Sequence, residues 1–515
     1  MTARGAPRLV VGGMSGDAGK TLVSLAIVLA ARDRGVRVRA FKKGPDYIDA
    51  AWLAWASGAP ARNLDTFLMG EDGVRRAFGR HAAGREPAAA GSIDVIEGNR
   101  GLFDGVDARG THGTAALAEL LDAPVLLVLD ARKTTATAAA MVRGCQAMSP
   151  GLRIGGVVLN RVAGGRHDAV AREAIESACG VPVLGAIPRI EGGDMLPGRH
   201  LGLVPPREHD DRNGLAERLR AVARQHLDLD RILACAGAAP PVEVPEASRA
   251  RPASASESGP ESEPPRPASA WEPELPIAIG YLSDSAFSFY YPENLEALEA
   301  QGATLVPLSS LSGDPIPEAI DALYIGGGFP ETHAARLAEN GPLLASLRNA
   351  AGADLPIYAE CGGLMLLARS VSWQGTRHEM AGVLPLEVEV TARPQGHGYV
   401  ALAVDRRNPF FPVGTGIRAH EFHYSRIAGD VPETACVVVR GAGCGGGRDA
   451  VVARGVWASY AHVHALATPE WAPGVADAAR RYHEMRRGGV EGRGGVEGRG
   501  RVEGRGGVEG RGGRR

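Results

Sequence analysis

The residues most able to do chemistry in this sequence fall into two groups, one suited to holding phosphate and one to attacking an amide. The first begins at Val10-Val11-Gly12-Gly13-Met14-Ser15-Gly16-Asp17-Ala18-Gly19-Lys20-Thr21 and runs on into the helical pattern LVSLAIVLAARDRG. A strand, a glycine-rich turn and a helix start aim backbone N–H groups at phosphate oxygens. Gly13, Gly16 and Gly19 would let the chain approach a nucleotide, Lys20 would meet its β- and γ-phosphates, and the Thr21 hydroxyl suits Mg2+. Five residues separate Gly13 from Gly19, one more than the strict pattern, so the loop is a variant. FKKGPDYID (41–49) and EGNRGLFDG (97–105) follow two further strand-like runs. Mg2+ takes one or two carboxylates and completes its shell with phosphate and water, which makes Asp46 and Glu97 candidate ligands beside Thr21. Asn160 ends another apolar run, where an adenine edge or a simple turn would each account for it.

The second group centres on Pro356-Ile357-Tyr358-Ala359-Glu360-Cys361-Gly362-Gly363. A strand running straight into a helix, with small residues at the turn, presents a nucleophile at the top of a sheet. It leaves the next N–H, that of Gly362, for an oxyanion. The helix N-terminus is expected to lower the thiol pKa. Tyr324-Ile325-Gly326-Gly327-Gly328-Phe329-Pro330 ends another strand, and the Gly328 N–H is the second candidate oxyanion donor. A thiol needs a base that later returns a proton to the leaving amine. His462 in SYAHVH (459–464) is that candidate, with His464 where an orienting third member would fall. The bland alternatives are a core cysteine and a metal-binding His-x-His, which lacks a partner ligand at convincing spacing.

Two α/β domains are needed to position these residues. Candidate strands Leu9–Gly12, Val36–Lys42, Ile93–Glu97, Val125–Asp130, Ile154–Asn160 and Val183–Ile187 alternate with helical patterns in a first domain, 8–235. Ile277–Leu282, Thr304–Leu308, Ala322–Ile325 and Ile357–Glu360 do the same in a second, 276–485. Such alternation implies open, mostly parallel sheets with sites at the carboxyl ends of strands. Between them, 237–276 is rich in Pro, Ser and Glu and reads as a flexible linker. From 488 to 515 the unit VEGRGG repeats, with one apolar residue per unit, and a disordered tail is expected.

Composition excludes several classes. The 515 residues carry 57 Lys plus Arg against 59 Asp plus Glu, a net charge of −2, which argues against a nucleic-acid surface. Six cysteines lack disulfide-scaffold or zinc spacing, so a reducing cytoplasm is the expected location. No apolar run reaches the roughly 18 residues a membrane helix needs. A strand-like run starting at Leu9 leaves no room for a signal peptide.

Taken together, the phosphate loop, FKKGPDYID, EGNRGLFDG, GGGFPE, AECGGLM, HEFHYS and SYAHVH resemble the cobyrinic or hydrogenobyrinic acid a,c-diamide synthases of corrinoid (vitamin B12) biosynthesis. The resemblance implies a dethiobiotin-synthetase-like amidoligase domain followed by a class I glutamine amidotransferase domain. It implies ATP and Mg2+, glutamine and a corrinoid macrocycle as small-molecule partners, amidation through an acyl phosphate, and is compatible with a homodimer. Carried over by motif, Asp46, Asp49, Glu97 and Asp104 line the amidoligase site, with Asp49 and Asp104 positioning substrate. Nickel-sirohydrochlorin is a related substrate ranked lower. Cobyric acid synthase, a relative with the same plan, has a K-A-Q-N-type run where this chain has Lys42-Lys43-Gly44-Pro45-Asp46, and a lone histidine in place of His462-Val463-His464. This chain departs from the family pattern at Lys43, at Ala419 and at Arg100, which could pair with an acidic substrate. Two other readings compete. One is a partitioning-type ATPase switch with a degenerate second domain, against which Met14 and Ser15 stand where a second lysine is usual. The other is a binding module working through the tail.

Overall fold

Val125–Asp130 (VLLVLD) is apolar without alternation, as a strand covered on both faces must be. It forms the inner part of a sheet in a computed structural model that describes residues 2–4, 6–80, 91–190, 195–196, 198–199, 202–245 and 276–494. The strands of this first sheet are β1 (Arg8–Gly13), β2 (Arg37–Lys43), β3 (Arg62–Leu64), β4 (Ser92–Glu97), β5 (Val125–Asp130), β6 (Ile154–Val162) and β7 (Val183–Pro188). All are parallel, in the order β3-β2-β4-β1-β5-β6-β7. After β4 the chain crosses to the far side of β1, and the crevice at such a reversal is where open α/β sheets bind ligands. The helix Lys20–Asp33 begins there. It is apolar nearly all round, with Val23, Leu25, Ala26, Ile27, Val28 and Ala31 all buried, so it runs through the core rather than over it.

The second domain has strands β8 (Ile277–Leu282), β9 (Ala303–Leu308), β10 (Ala322–Ile325), β11 (Ile357–Glu360), β12 (Gly396–Val404), β13 (Gly416–His423), β14 (Thr434–Arg440), β15 (Arg448–Ala453), β16 (Val456–Ser459) and β17 (His462–Val463). They make one ten-stranded sheet, β9-β8-β10-β11-β16-β15-β14-β12-β13-β17. It is parallel from β9 to β16, as expected, and then continues antiparallel, an extension that strand–helix alternation does not announce. Only Tyr460 and Ala461 separate β16, in the middle, from β17, at the far edge. The edge must therefore curl back over the middle, and this brings His462 to the end of the sheet where β11 stops.

Two boundaries differ from the sequence expectation. Part of the 237–276 stretch belongs to the first domain, because Val242–Val244 pairs antiparallel with Thr2–Arg4 and both valines are buried. Their period-2 spacing is a strand signal that the neighbouring prolines mask. The last helix, Trp471–Gly494, also continues past 488, since extending a packed helix adds a hydrogen bond for each residue fixed. The rest of the stretch read as linker, and the tail beyond 494, lie outside the described residues. All six cysteines are free. No described helix is long and apolar enough to cross a membrane.

The domains meet along a polar and aromatic seam. Arg62 reaches Glu293 at 3.3 Å and Glu296, Lys43 Nζ donates to Tyr399 OH at 3.2 Å, and Tyr399 OH donates to Asp65. Arg100 lies 3.0 Å from His397 Nε2. The two added cations, Lys43 and Arg100, therefore contact the second domain.

Candidate active site

Gly13 and Gly19 are dictated by crowding. A Cβ on Gly13 would lie 3.0 Å from the Lys20 side chain, whereas one on Gly16 meets nothing within 4 Å. Gly19 has φ +100°, and a Cβ there would fall 2.1 Å from Asn160 Nδ2. Asn160 itself donates to Ala18 O at 2.9 Å and accepts from Arg161 N–H at 2.9 Å. It stands inside the strand Ile154–Val162 rather than in a turn, and it pins the loop. Lys20 Nζ donates to Ser15 O at 2.8 Å and Gly16 O at 2.9 Å, which holds the amine inside the loop's curve. Burial first, then repulsion from Lys42, lowers its pKa to about 8.

Next to the loop, register does the assembling. Lys42 and Glu97 are paired neighbours on β2 and β4, and Val11 of β1 pairs with Glu97 on its other side. Glu97 Oε1 accepts from Thr21 Oγ1–H at 2.8 Å and Lys42 Nζ at 2.8 Å. Lys42 also holds Asp49 Oδ2 at 2.6 Å and Gly98 O at 3.0 Å. Burial opposes charge on Lys42, but Asp49, Glu97 and Asp46 together outweigh it and raise its pKa. Asp46 caps the helix Tyr47–Ser57, accepting from Asp49 N–H at 2.8 Å. Burial pushes Glu97 up to about 7, and burial with Asp49 pushes Asp46 up to about 6. Glu97 Oε2 is buried with no hydrogen-bond partner. An orphaned carboxylate oxygen beside a hydroxyl, at a phosphate loop, fits a divalent cation. Among the described residues no three His, Cys, Asp or Glu cluster as a metal site, so such a cation would complete its shell with phosphate and water. Asp104 lies apart from this cluster in its contacts: it is exposed and accepts from Gly101 N–H at 2.8 Å, fixing its own loop. Lys42 is the member the sequence reading missed, although its place at a strand end beside Asp46 and Asp49 was a signal.

At the second site, Cys361 follows β11 and caps the helix Gly362–Leu367 with φ 46° and ψ −95°, a left-handed conformation costly for a residue with a Cβ. Its N–H donates to Ser459 O at 2.7 Å, tying the turn to β16. Behind that strand, buried Asp449 accepts from Ser459 Oγ at 2.9 Å and Tyr460 N–H at 3.2 Å. Gly362 and Gly328 come together, since a Cβ on Gly362 would lie 3.2 Å from Gly328 N. Gly327 faces His462: a Cβ there would fall 2.4 Å from its Cε1. The expected lowering of the thiol pKa is not what the structure has. Burial first, then Glu331 and Glu360, push Cys361 far up, and the Gly362 N–H only partly opposes them. The resting nucleophile is a neutral thiol, because a six-residue helix start does not offset nearly complete desolvation.

His464 does not orient His462. Strand geometry ends at Val463, and His464 turns toward Tyr291, ring centroids 4.5 Å apart, and Glu293, 3.8 Å from its Nε2. His462 instead has Glu360 Oε2 at 3.7 Å from its Nδ1. Glu360 was missed in the sequence, though it adjoins the nucleophile. One ring links the two sites: Tyr47, next to Asp46, lies 5.4 Å from His462, 5.6 Å from His420, 4.5 Å from Tyr291 and 5.1 Å from Phe289 by ring centroids.

Residues 9–203 match the family described as CobQ/CobB/MinD/ParA nucleotide binding domain, and residues 278–470 the CobB/CobQ-like glutamine amidotransferase domain. The cobyrinate a,c-diamide synthase of Magnetococcus marinus is 42% identical over 472 residues, covering 91% of this chain and 96% of that protein. The proteins of that name from Methanosarcina acetivorans and Syntrophotalea carbinolica are 36% and 40% identical, covering 93% and 81% of this chain and 97% and 86% of theirs. Relatives that span both domains do not favour the partitioning-ATPase reading. The chain belongs to the cobyrinate a,c-diamide synthase family and is a glutamine-dependent ligase that forms amide bonds.

Proposed function

We propose that the chain amidates the a- and c-side-chain carboxylates of cobyrinic or hydrogenobyrinic acid in cobalamin synthesis, using ATP, Mg2+ and glutamine. A carboxylate is a poor acyl donor, so its oxygen must first become a leaving group. Transfer of the ATP γ-phosphoryl to that oxygen gives an acyl phosphate, and ammonia then displaces phosphate at the acyl carbon. Lys20 and the loop N–H groups face the charge that shifts onto the departing ADP. Thr21 Oγ1 and Glu97, with Asp46 direct or through water, would hold Mg2+, which supplies positive charge to the phosphate oxygens. Lys42 keeps Asp49 and Glu97 fixed, and Asp49 is assigned to positioning the substrate carboxylate.

In the second domain, Cys361 Sγ forms a bond to the glutamine amide carbon as its proton passes to His462. The oxygen takes up negative charge facing the N–H groups of Gly328 and Gly362. His462 returns the proton to the nitrogen, the C–N bond breaks and ammonia leaves; water then hydrolyses the thioester to glutamate. The observation that carries the coupled reading is Tyr47, which stands one residue from Asp46 and packs on His462. The test is to incubate the protein with ATP, Mg2+, glutamine and either acid, and to count amides by mass. Two amides are expected on the true substrate. Cys361→Ser should amidate with ammonium and fail with glutamine; glutamine-driven amidation by that variant would refute the reading.

A further inference from the structure

A histidine that takes a proton on one ring nitrogen needs a partner on the other to set its tautomer. Three groups lie close enough to His462 or to its strand to be that partner. His464 accepts the Leu466 N–H on Nδ1 at 3.1 Å, so its own proton sits on Nε2, which faces Glu293. His420 lies nearly face to face with His462, centroids 4.9 Å apart at 22°, a stacking that cannot carry an in-plane hydrogen bond. Its Nδ1 is engaged by Tyr291 OH at 3.2 Å. The third is Glu360, fully buried, with Oε2 3.7 Å from His462 Nδ1, a buried nitrogen without a hydrogen-bond partner.

We propose that Glu360, the residue immediately before the nucleophile, is the positioning residue of the glutaminase histidine: its carboxylate receives Nδ1–H and leaves Nε2 as the base. This deepens the glutaminase reading and rests on it. Glu360 is well anchored for the task. Oε1 accepts the Val463 N–H at 3.0 Å, so one carboxylate grips both the ring and the backbone beside it. Oε2 accepts from Tyr324 OH at 3.2 Å, and Asn294 Nδ2 donates to that phenol at 3.3 Å. Asn294 also donates to Val463 O at 2.8 Å and accepts from Ala465 N–H at 2.7 Å, fixing the segment that carries His462. The separation of 3.7 Å is longer than a hydrogen bond, and catalytic hydrogen bonds commonly shorten once substrate is in place. When Cys361 gives up its proton, the resulting imidazolium lies against the Glu360 negative charge. The other ionisable neighbours, His420 and Tyr47, are held neutral by burial, so Glu360 is the anion in direct reach of that ring.

Glu360→Gln keeps the side chain's size and removes its charge. In the full chain with ATP, Mg2+ and the corrinoid acid, glutamine-driven turnover should fall about 100-fold or more, while ammonium-chloride-driven turnover stays within about twofold. The acid limb of kcat/KM for glutamine should move to lower pH, because an imidazole without an adjacent anion loses its proton more readily. Glu360→Asp should recover part of the rate and part of the limb. Glutamine turnover within about threefold of the parent chain in Glu360→Gln would overturn the proposal. Equal loss of glutamine- and ammonium-driven turnover in both variants would also overturn it, since the carboxylate would then be structural. Cys361→Ser run alongside keeps the two ideas apart: if it still releases glutamate, the glutaminase reading fails whatever Glu360 does.

Discussion

Around Glu97, Lys42 neutralises two carboxylates at 2.6 and 2.8 Å, while around Cys361 a neutral thiol and a histidine sit buried with no hydrogen bond on His462 Nδ1. The first site stores charge that is already balanced internally; a phosphate or cation entering it must displace or join existing ion pairs. The second holds the Glu360 carboxylate beside a neutral thiol with no ion pair drawn tight, and new charge arises when substrate is attacked. The lesson concerns how each site fails. Loss of a charge at the first should cripple amidation from either nitrogen source, whereas at the second a lost charge or a small error of placement should cripple only the glutamine-driven reaction.

The largest effect is expected from Lys20→Met, which removes the cation held by Ser15 O and Gly16 O. Amidation should fall about 1000-fold with glutamine and with ammonium alike, read as ADP release and amide count. Next comes Gly327→Ala, which changes no charge but places a Cβ 2.4 Å from His462 Cε1. Glutamine-driven turnover should fall about 100-fold and ammonium-driven turnover should hold; equal sensitivity of both would erase the contrast between the sites. A third effect is on stability. The Glu97 pKa is raised from 4.5 to about 7, so the folded state binds that proton more tightly than the unfolded chain. The penalty for charging Glu97 is therefore present above about pH 7 and relieved as pH falls toward 4.5, a gain of at most about 3 kcal/mol. Thermal melting across that window should show the gain, and Glu97→Gln should flatten it. The smallest effect is expected from removal of residues 495–515; amidation should stay within about twofold.

Strand positions in the first sheet were legible because long Val, Ile and Leu runs end in glycine or acidic turns, and each chemical motif falls at such an end. The cysteine turn was legible for the same reason. The antiparallel half of the second sheet was not, because short strands such as His462–Val463 gain their pairing from a partner some forty residues away, Ala419–His420. The orienting role was sought at His464 because a triad's third member would fall there, but the strand stops at Val463, and Glu360, distant in sequence, lies 3.7 Å from the ring instead. The thiol pKa was misjudged because a helix start can be read from sequence and the depth of burial cannot. Asp104 matched a motif, yet its carboxylate closes its own loop.

The seam has a consequence for how the two halves stay together. The backbone passes between them only through the stretch around 246–275, but Arg62 to Glu293, Asp65 to Tyr399, Arg100 to His397 and the Tyr47 aromatic cage join them directly. A protease nick in that stretch should leave both fragments eluting as one particle and still able to pass nitrogen between them. Covalent continuity would then matter for making the two halves in equal number, and side-chain contact for keeping them in working alignment.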